Sequence, residues 1–141
     1  MIDVTCAIIF DKNKLLLTQR GEHSYHAFQW EFPGGKVKPE ETEEQCIHRE
    51  ISEELGIEIR IIEKLSPVIY DYGFRKIRLI PFLVYIEKGD IVLNEHVNFE
   101  WLELEKLNKR NISEADRELI QLPENKKLLE KYSREKMNDA G

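Results

Sequence analysis

The stretch from Thr42 to Leu55 constrains the fold of this chain more than any other. It contains neither glycine nor proline and consists mostly of good helix formers, so we expect a helix of about four turns. Thr42 and Gln45 are spaced as a capping box, and Gly56 is a ready C-terminal stop. An apolar stripe at every fourth position predicts that the helix docks on a core. The stripe consists of Ile47, Ile51 and Leu55.

A second face of the same helix carries Glu50, Glu53 and Glu54. Three crowded carboxylates repel each other, and a divalent cation that prefers oxygen ligands, such as Mg²⁺ or Mn²⁺, removes that penalty. The preceding Gly34-Gly35 allows a turn that brings a backbone carbonyl near the same ion. The pattern predicts metal-assisted displacement at phosphorus, in which bound ions neutralise phosphates and activate a water. The plainer alternative is a solvated acidic face, since 34% of the residues are charged.

A longer pattern surrounds this helix. Gly35 is followed after five residues by Glu41 and, after seven more, by the run Arg-Glu-Ile-Ser-Glu-Glu-Leu-Gly-Ile from Arg49 to Ile57. This pattern resembles the complete Nudix box, so the chain is identified as a member of the Nudix hydrolase family. The flanking run from Trp30 to Lys36 resembles the MutT-type branch, which cleaves nucleoside triphosphates to monophosphate and pyrophosphate with water and divalent metal.

The resemblance implies a role for individual residues, with Mg²⁺ or Mn²⁺ as the cofactor and a nucleotide as the substrate. The implied catalytic residues are Glu50, Glu53 and Arg49, and either a box glutamate or a downstream one is the general base. The implied metal ligands are Gly34, Gly35, Glu50, Glu53, Glu54 and Glu95. The implied substrate-binding residues are Arg20, Phe32, Lys36 and Asp116. The structural residues are Glu41, as the partner of Arg49, and Gly56, as the end of the helix.

Several of these residues also have plainer interpretations. Arg49 lies four residues before Glu53, which suits an ordinary helix-face ion pair. Glu95 could be an exposed loop carboxylate, although loops often carry site residues on a rigid scaffold. We expect the neighbouring His96 at the surface, because oxygen-preferring metals rarely need imidazole. We expect a solvated charge run at Arg75, Lys76 and Arg78.

Asp116 has two interpretations that the sequence leaves open. Its segment resembles the stretch in which MutT-type enzymes place an Asn or Asp that contacts the base. An ionised aspartate only accepts hydrogen bonds, so it would favour a base edge that offers donors, and it argues against a strict 8-oxoguanine specificity. Alternatively, Asp116 is the third residue after Ser113 and caps a helix.

The remaining pattern predicts an α/β fold. Strands are expected at Ile2–Phe10, Leu15–Arg20, Ile57–Ile62, Ser66–Tyr72, Ile77–Ile86 and Asn98–Leu104, and helices at Ser113–Leu122 and Glu124–Lys136. The strand from Ile77 is strongly apolar and is expected to be central. The resemblance implies the Nudix fold, a mixed β-sheet between α-helices (an α/β/α sandwich). We expect one domain over 1–137 and a loose tail over 138–141.

Composition and charge limit the binding partners and the cellular location that we expect for this chain. The net charge of −6 disfavours binding to duplex nucleic acid, whereas nucleotide phosphates remain compatible because bound metal supplies positive charge locally. The cysteines Cys6 and Cys46 lack the spacing of a zinc site or a disulfide framework. No signal peptide or membrane span is recognisable, so no membrane contact and a cytoplasmic location are expected. The sequence leaves the oligomeric state open.

Other activities remain as alternatives. Tyr72 occupies the position of the proline that marks ADP-ribose hydrolases, while Tyr70 and Tyr72 keep a dinucleoside polyphosphate substrate open. A non-catalytic nucleotide-binding Nudix module is a further alternative, but such modules generally lose glutamates of the box, and this chain keeps them all. The preferred hypothesis is a pyrophosphohydrolase acting on oxidised deoxynucleotides or on pyrimidine triphosphates such as CTP.

Overall fold

A single eight-stranded sheet organises the computed structural model, which describes the backbone of residues 1–140 and the side chains through residue 135. The strands are β1 (Ile2–Asp11), β2 (Lys14–Gln19), β3 (Trp30–Glu31), β4 (Gly34–Lys36), β5 (Glu58–Lys64), β6 (Val68–Asp71), β7 (Lys76–Lys88) and β8 (Asn98–Glu103). The helices are α1 (Glu43–Leu55), α2 (Glu114–Gln121) and α3 (Pro123–Ala140), and a 3₁₀ helix spans Leu104–Lys109.

The sheet is mixed, as predicted. Its main path runs β3-β2-β1-β7-β5, with β4 paired to β1, β6 to β7 and β8 to β2. The pair β1–β7 is parallel, and the other pairs are antiparallel. The expectation that the apolar strand β7 is central is confirmed, because it pairs with β1, β5 and β6.

Helices cover both faces of the sheet. Successive side chains of a strand point to opposite faces, so β1 sends Ala7 and Ile9 to one face and Ile8 to the other. The first face packs against the apolar stripe of α1, whose three residues are fully buried. The second face packs against α2 and α3 through Leu119 and Leu129. The α/β/α arrangement is therefore confirmed.

The ends of α1 are those that the sequence predicted. The Thr42 hydroxyl accepts from the Gln45 N–H at 3.0 Å, while the Gln45 side chain accepts from the Thr42 N–H at 2.9 Å. Gly56 ends the helix in the left-handed conformation, with φ of 67°. The carboxylate-bearing turns therefore lie between two fixed ends.

Other boundaries differ from the sequence predictions. The strands β3 and β4 were not predicted, because two or three residues are too few to show an alternating pattern. Pro123 begins α3 instead of separating two helices, and proline suits the first turn because its missing N–H would have no partner there. α3 extends to Ala140, and Gly141 lies outside the described residues. The loose tail over 138–141 stays a prediction. Within the described part of the chain, no helix is long and apolar enough to cross a membrane.

Candidate active site

Arg49 organises the acidic face of α1. Its guanidinium donates to both carboxylate oxygens of Glu41, at 2.6 and 2.9 Å. Nη1 also donates to Glu50 at 2.9 Å and to Glu53 at 3.2 Å. The hydrogen bonds from Arg49 are the largest cause that lowers the pKa of Glu41 to about 2. Both interpretations of Arg49 hold, because it pairs with Glu53 along the helix and with Glu41 across the box.

Gly35 provides the space that the Glu50 carboxylate occupies. A Cβ added to Gly35 would lie 2.5 Å from each carboxylate oxygen of Glu50. At Gly34, a Cβ would collide with the Thr5 carbonyl in the neighbouring strand β1. The Gly35 carbonyl accepts from the Thr5 hydroxyl at 3.3 Å. Both glycines are therefore needed for close packing of β4 between β1 and α1, and the Glu50 carboxylate lies against the backbone of β4.

Glu54 is the most enclosed carboxylate of this face, since 12% of its side chain is exposed against 54% for Glu53. Burial, followed by the charge of Glu95, raises the pKa of Glu54. Among the described residues, its Oε2 atom is buried and receives no hydrogen bond. Nδ1 of His96 lies 3.4 Å from that oxygen, which is close enough for an ion pair but not aligned for a hydrogen bond.

A cavity of about 220 Å³ opens beside β4. Its wall includes Gly34, Gly35 and Lys36, next to the Glu50 carboxylate. The buried residue Asp116 belongs to the same wall. The predicted substrate-binding residues all line it: Arg20, Phe32, Lys36 and Asp116. The structure therefore brings those residues together, while their contact with substrate stays a prediction.

Asp116 is placed by contacts between the start of α2 and the strand β3. Ser113 caps α2 by accepting from the Asp116 N–H at 3.3 Å, and the Ser113 N–H donates to the Trp30 carbonyl at 2.9 Å. The Asp116 carboxylate accepts from the Phe32 N–H at 3.1 Å. Asp116 therefore lies in the first turn of α2 but does not close a capping box with Ser113, and its contact with a base stays a prediction. Burial, followed by the charge of Glu31, raises the pKa of Asp116 to about 7.

Comparison with known proteins identifies the family. Residues 2–122 match the model of the NUDIX domain. The chain belongs to the Nudix family. It is 36% identical over 121 residues to the CTP pyrophosphohydrolase of Escherichia coli (strain K12), which covers 86% of this chain and 90% of that protein. It is 34% identical over 118 residues to the 8-oxo-dGTP diphosphatase of Buchnera aphidicola subsp. Schizaphis graminum (strain Sg), covering 84% and 89%.

Solved structures confirm the Nudix fold. The crystal structure of the MutT protein from Methanosarcina mazei Go1 superimposes with a TM-score of 0.77 at 30% identity, covering 95% of this chain and 94% of that one. The fold, the family and the assignment to the Nudix hydrolases therefore agree with the sequence predictions.

The Nudix acidic face fits a hard divalent cation. Oε2 of Glu54 is a buried carboxylate oxygen to which no described residue donates a hydrogen bond, and a bound cation would supply the missing positive partner. Among the described residues, no three acidic, imidazole or thiol side chains are grouped closely enough to hold an ion alone.

An aromatic rim of the cavity was not predicted from the sequence. Tyr25 and Phe74 are 61% and 60% exposed, and their ring centroids are 5.0 Å apart across two loops. The Arg75 guanidinium lies 5.7 Å from the Phe74 centroid, so Arg75 belongs to the cavity wall and not to a solvated charge run. Tyr72 completes the wall. Only the density of aromatic residues at 70–74 could have indicated this rim.

His96 also differs from its prediction as a surface residue. Its side chain is 9% exposed, and Nε2 lies 2.9 Å from Glu31 Oε2. Burial alone would lower the pKa of His96, but the hydrogen bond to Glu31 and the charges of Glu31 and Glu54 outweigh it and raise the pKa. Glu31 belongs to β3, which the sequence pattern did not reveal, so the pairing could not be anticipated.

Proposed function

We propose that the protein hydrolyses nucleoside triphosphates to nucleoside monophosphate and pyrophosphate with the help of a divalent metal ion. One observation carries the proposal: a single cavity is lined both by the buried Asp116 and by the Gly35 backbone, against which the Glu50 carboxylate is packed. We infer that this cavity holds the base near Asp116 and the phosphates near the acidic face. The names of the two relatives, a CTP pyrophosphohydrolase and an 8-oxo-dGTP diphosphatase, support the same substrate class.

The part of the cavity next to the buried Asp116 suits a nucleobase. Apolar walls with a few convergent polar groups are typical of small-molecule sites. Here Phe32 contributes to the wall and Asp116 supplies the polar atoms. The exposed rings of Tyr25 and Phe74 at the rim can stack on a flat ring system. We propose that the base lies with its edge towards Asp116.

The positive charges of the cavity suit the phosphates. Arg20 and Lys36 both line the cavity, and 31% of the Arg20 side chain is exposed. When bound, a divalent cation would neutralise phosphate charge and lower the pKa of the attacking water. We propose that Glu50, Glu53, Glu54, Glu95 and the backbone of Gly34 and Gly35 surround that cation, which would take one or two of these carboxylates directly and reach the others through water.

The remaining roles concern orientation and proton transfer. Arg49 holds Glu50 and Glu53 through a single guanidinium, and its pairing with Glu41 fixes that guanidinium in turn. Rigidly held groups are what a displacement at phosphorus requires, because positioning supplies much of the acceleration. We propose that one glutamate of the acidic face, or Glu95, takes the proton from the attacking water.

A product assay tests the proposal. Purified protein is incubated with CTP, dGTP, 8-oxo-dGTP, ADP-ribose and diadenosine tetraphosphate, with Mg²⁺ or with excess chelator, and the products are separated by chromatography. We expect monophosphate and pyrophosphate from at least one triphosphate, and no hydrolysis in chelator. Nucleoside diphosphate with orthophosphate, full activity in chelator, or cleavage confined to the last two compounds would each overturn the proposal.

A further inference from the structure

The imidazole of His96 lies between two carboxylates that come from different parts of the chain. Nε2 lies 2.9 Å from Glu31 Oε2, and Nδ1 lies 3.4 Å from Glu54 Oε2. The three side chains are only 9%, 19% and 12% exposed, respectively. Each ring nitrogen of His96 therefore faces one carboxylate in a largely enclosed space.

These two carboxylates differ in their other contacts. Glu31, on β3, also accepts from Nε of Arg20 at 2.9 Å and lines the cavity. Glu54, on α1, belongs to the acidic face. A continuous chain of polar contacts thus runs from Arg20 through Glu31 and His96 to Glu54. This chain links Arg20, the proposed phosphate contact, to Glu54, one of the proposed metal ligands.

Backbone hydrogen bonds fix the loop that carries His96. The Val92 and Asn94 N–H groups donate to the carbonyls of Leu55 and Glu54, at 2.9 and 3.0 Å. On the other side of His96, the Val97 N–H donates to the Gln19 carbonyl at 3.0 Å. The loop is therefore tied to the end of α1 and to β2, so the backbone that carries His96 is fixed independently of the two carboxylates.

We propose that His96 is a positioning residue that orients Glu54 towards the metal ion and Glu31 towards Arg20. The proposal rests on the proposed function for the identity of Glu54 as a ligand and of Arg20 as a phosphate contact. Without the ring, Glu54 and Glu31 would face each other with no positive group between them, although Glu31 would keep Arg20, and like charges in such a place repel strongly. Residues that orient metal ligands typically change metal affinity or activity 10–100-fold when they are replaced.

Amide substitutions can separate the two contacts. The amide nitrogen of asparagine is as many bonds from Cα as Nδ1 of histidine, and that of glutamine is as many as Nε2. His96→Asn therefore keeps a donor that faces Glu54, and His96→Gln keeps one that faces Glu31. His96→Phe keeps the ring volume and removes both donors. His48→Gln, at an exposed position of α1, is the matched control.

The experiment measures two quantities for each variant. The first is the dissociation constant of Mn²⁺ without nucleotide, from the electron paramagnetic resonance signal of free Mn²⁺. The second is the pair of kcat and KM for the triphosphate that the unaltered protein hydrolyses best. Thermal melting of each variant checks the fold.

We expect a crossed pattern. His96→Gln should weaken Mn²⁺ binding about 10-fold and leave KM within about 2-fold, whereas His96→Asn should raise KM and leave Mn²⁺ binding nearly unchanged. His96→Phe should show both losses, and His48→Gln neither. Unchanged Mn²⁺ binding and KM in the two amide variants, or equal losses in both that follow the melting temperature, would overturn the proposal.

The two proposals fail separately. If the unaltered protein binds Mn²⁺ but hydrolyses no triphosphate, the proposed function fails, and the Mn²⁺ measurements still decide the role of His96 towards Glu54. If hydrolysis proceeds as proposed and the crossed pattern is absent, only the role of His96 fails.

Discussion

At Asp116, burial changes the hydrogen bonds that a carboxyl group can make. From the sequence, Asp116 was expected to be ionised and therefore only to accept hydrogen bonds. With its pKa near 7, the group is about half protonated at neutral pH, and the neutral acid has a donor as well as acceptors. The same residue can therefore face a base edge that offers donors or one that offers an acceptor. Ambient pH is then expected to influence which base is preferred.

Replacing Asp116 with Asn should remove that influence. Asparagine keeps one donor group and one acceptor at every pH. We expect the ratio of kcat/KM for CTP to that for 8-oxo-dGTP to change between pH 6 and 8 in the unaltered protein, and to stay level in the variant. Steady-state kinetics with CTP and 8-oxo-dGTP at each pH give this ratio. Glu118→Gln, on the exposed face of α2, makes the same charge change as a control, and identical pH profiles in the two variants would contradict a base contact by Asp116.

The raised pKa of Asp116 should also make the free energy of unfolding depend on pH. Its folded-state pKa is raised from 3.8 to about 7, so between these values the folded protein keeps a proton that the unfolded chain has lost. The free energy of unfolding should therefore fall as pH rises from about 4 to about 7, by at most about 4 kcal/mol, and level off above. Urea unfolding across this range tests it. The fall should disappear in Asp116→Asn, and a variant that still shows it would assign the effect to other groups.

Glu53 tests whether charge on the acidic face is needed for chemistry. Glu53→Gln keeps the side-chain volume and removes the charge, so we expect kcat to fall by about 100-fold or more. Stability should change by less than about 1 kcal/mol, because the side chain is exposed and its one ion pair, to Arg49, lies at the surface. Steady-state kinetics and a melting curve measure both. Glu44→Gln, elsewhere on α1, is the control, and comparable activity in the two variants would contradict the metal mechanism.

At the scale of elements, the sequence was most informative where local chemistry decides the outcome. The capping residue, the apolar stripe and the glycine stop of α1 are all encoded within one segment, and α1 formed as predicted. β3 and β4 depend instead on partners far along the chain, such as Thr18 and Thr5. The residues of the acidic face were predictable because they lie within α1. The contacts that connect this face to the cavity were not, because Glu31 and Gly35 belong to the short strands.

The junction of α2 and α3 depends on a single amide. Asn125 is fully buried; its side chain bonds the Ser66 N–H at 2.8 Å and the carbonyls of Ser66 and Leu119 at 2.9 and 3.0 Å. Asn125→Ala leaves these groups without a partner and creates a small cavity. We expect a loss of about 2–4 kcal/mol, measured by urea unfolding. Asn108→Ala, at an exposed site, should stay within about 0.5 kcal/mol; equal effects would contradict the role of the junction.

Across the whole molecule, the site is assembled from segments that are distant in sequence. Arg20, the acidic face of α1, the loop with His96 and the start of α2 meet around the short segment from β3 to β4. The Nudix pattern identified the acidic face because its residues are consecutive. The aromatic rim and the pairing of His96 with Glu31 arise only from the order of the strands, which no local pattern contains.

The parallel pairing of β1 with β7 also determines when this protein can fold. Ile2 pairs with Ile77 and Phe10 with Tyr85. The centre of the sheet therefore cannot form until β7, which is synthesised much later than β1, is available. Non-local pairing of this kind slows folding and leaves strand edges open meanwhile. A fragment ending at Tyr72 should show no cooperative melting, whereas the full chain should; a cooperative transition in the fragment would contradict this. Until the ribosome has translated β7, α1 therefore lacks part of the apolar surface against which it packs in the folded protein.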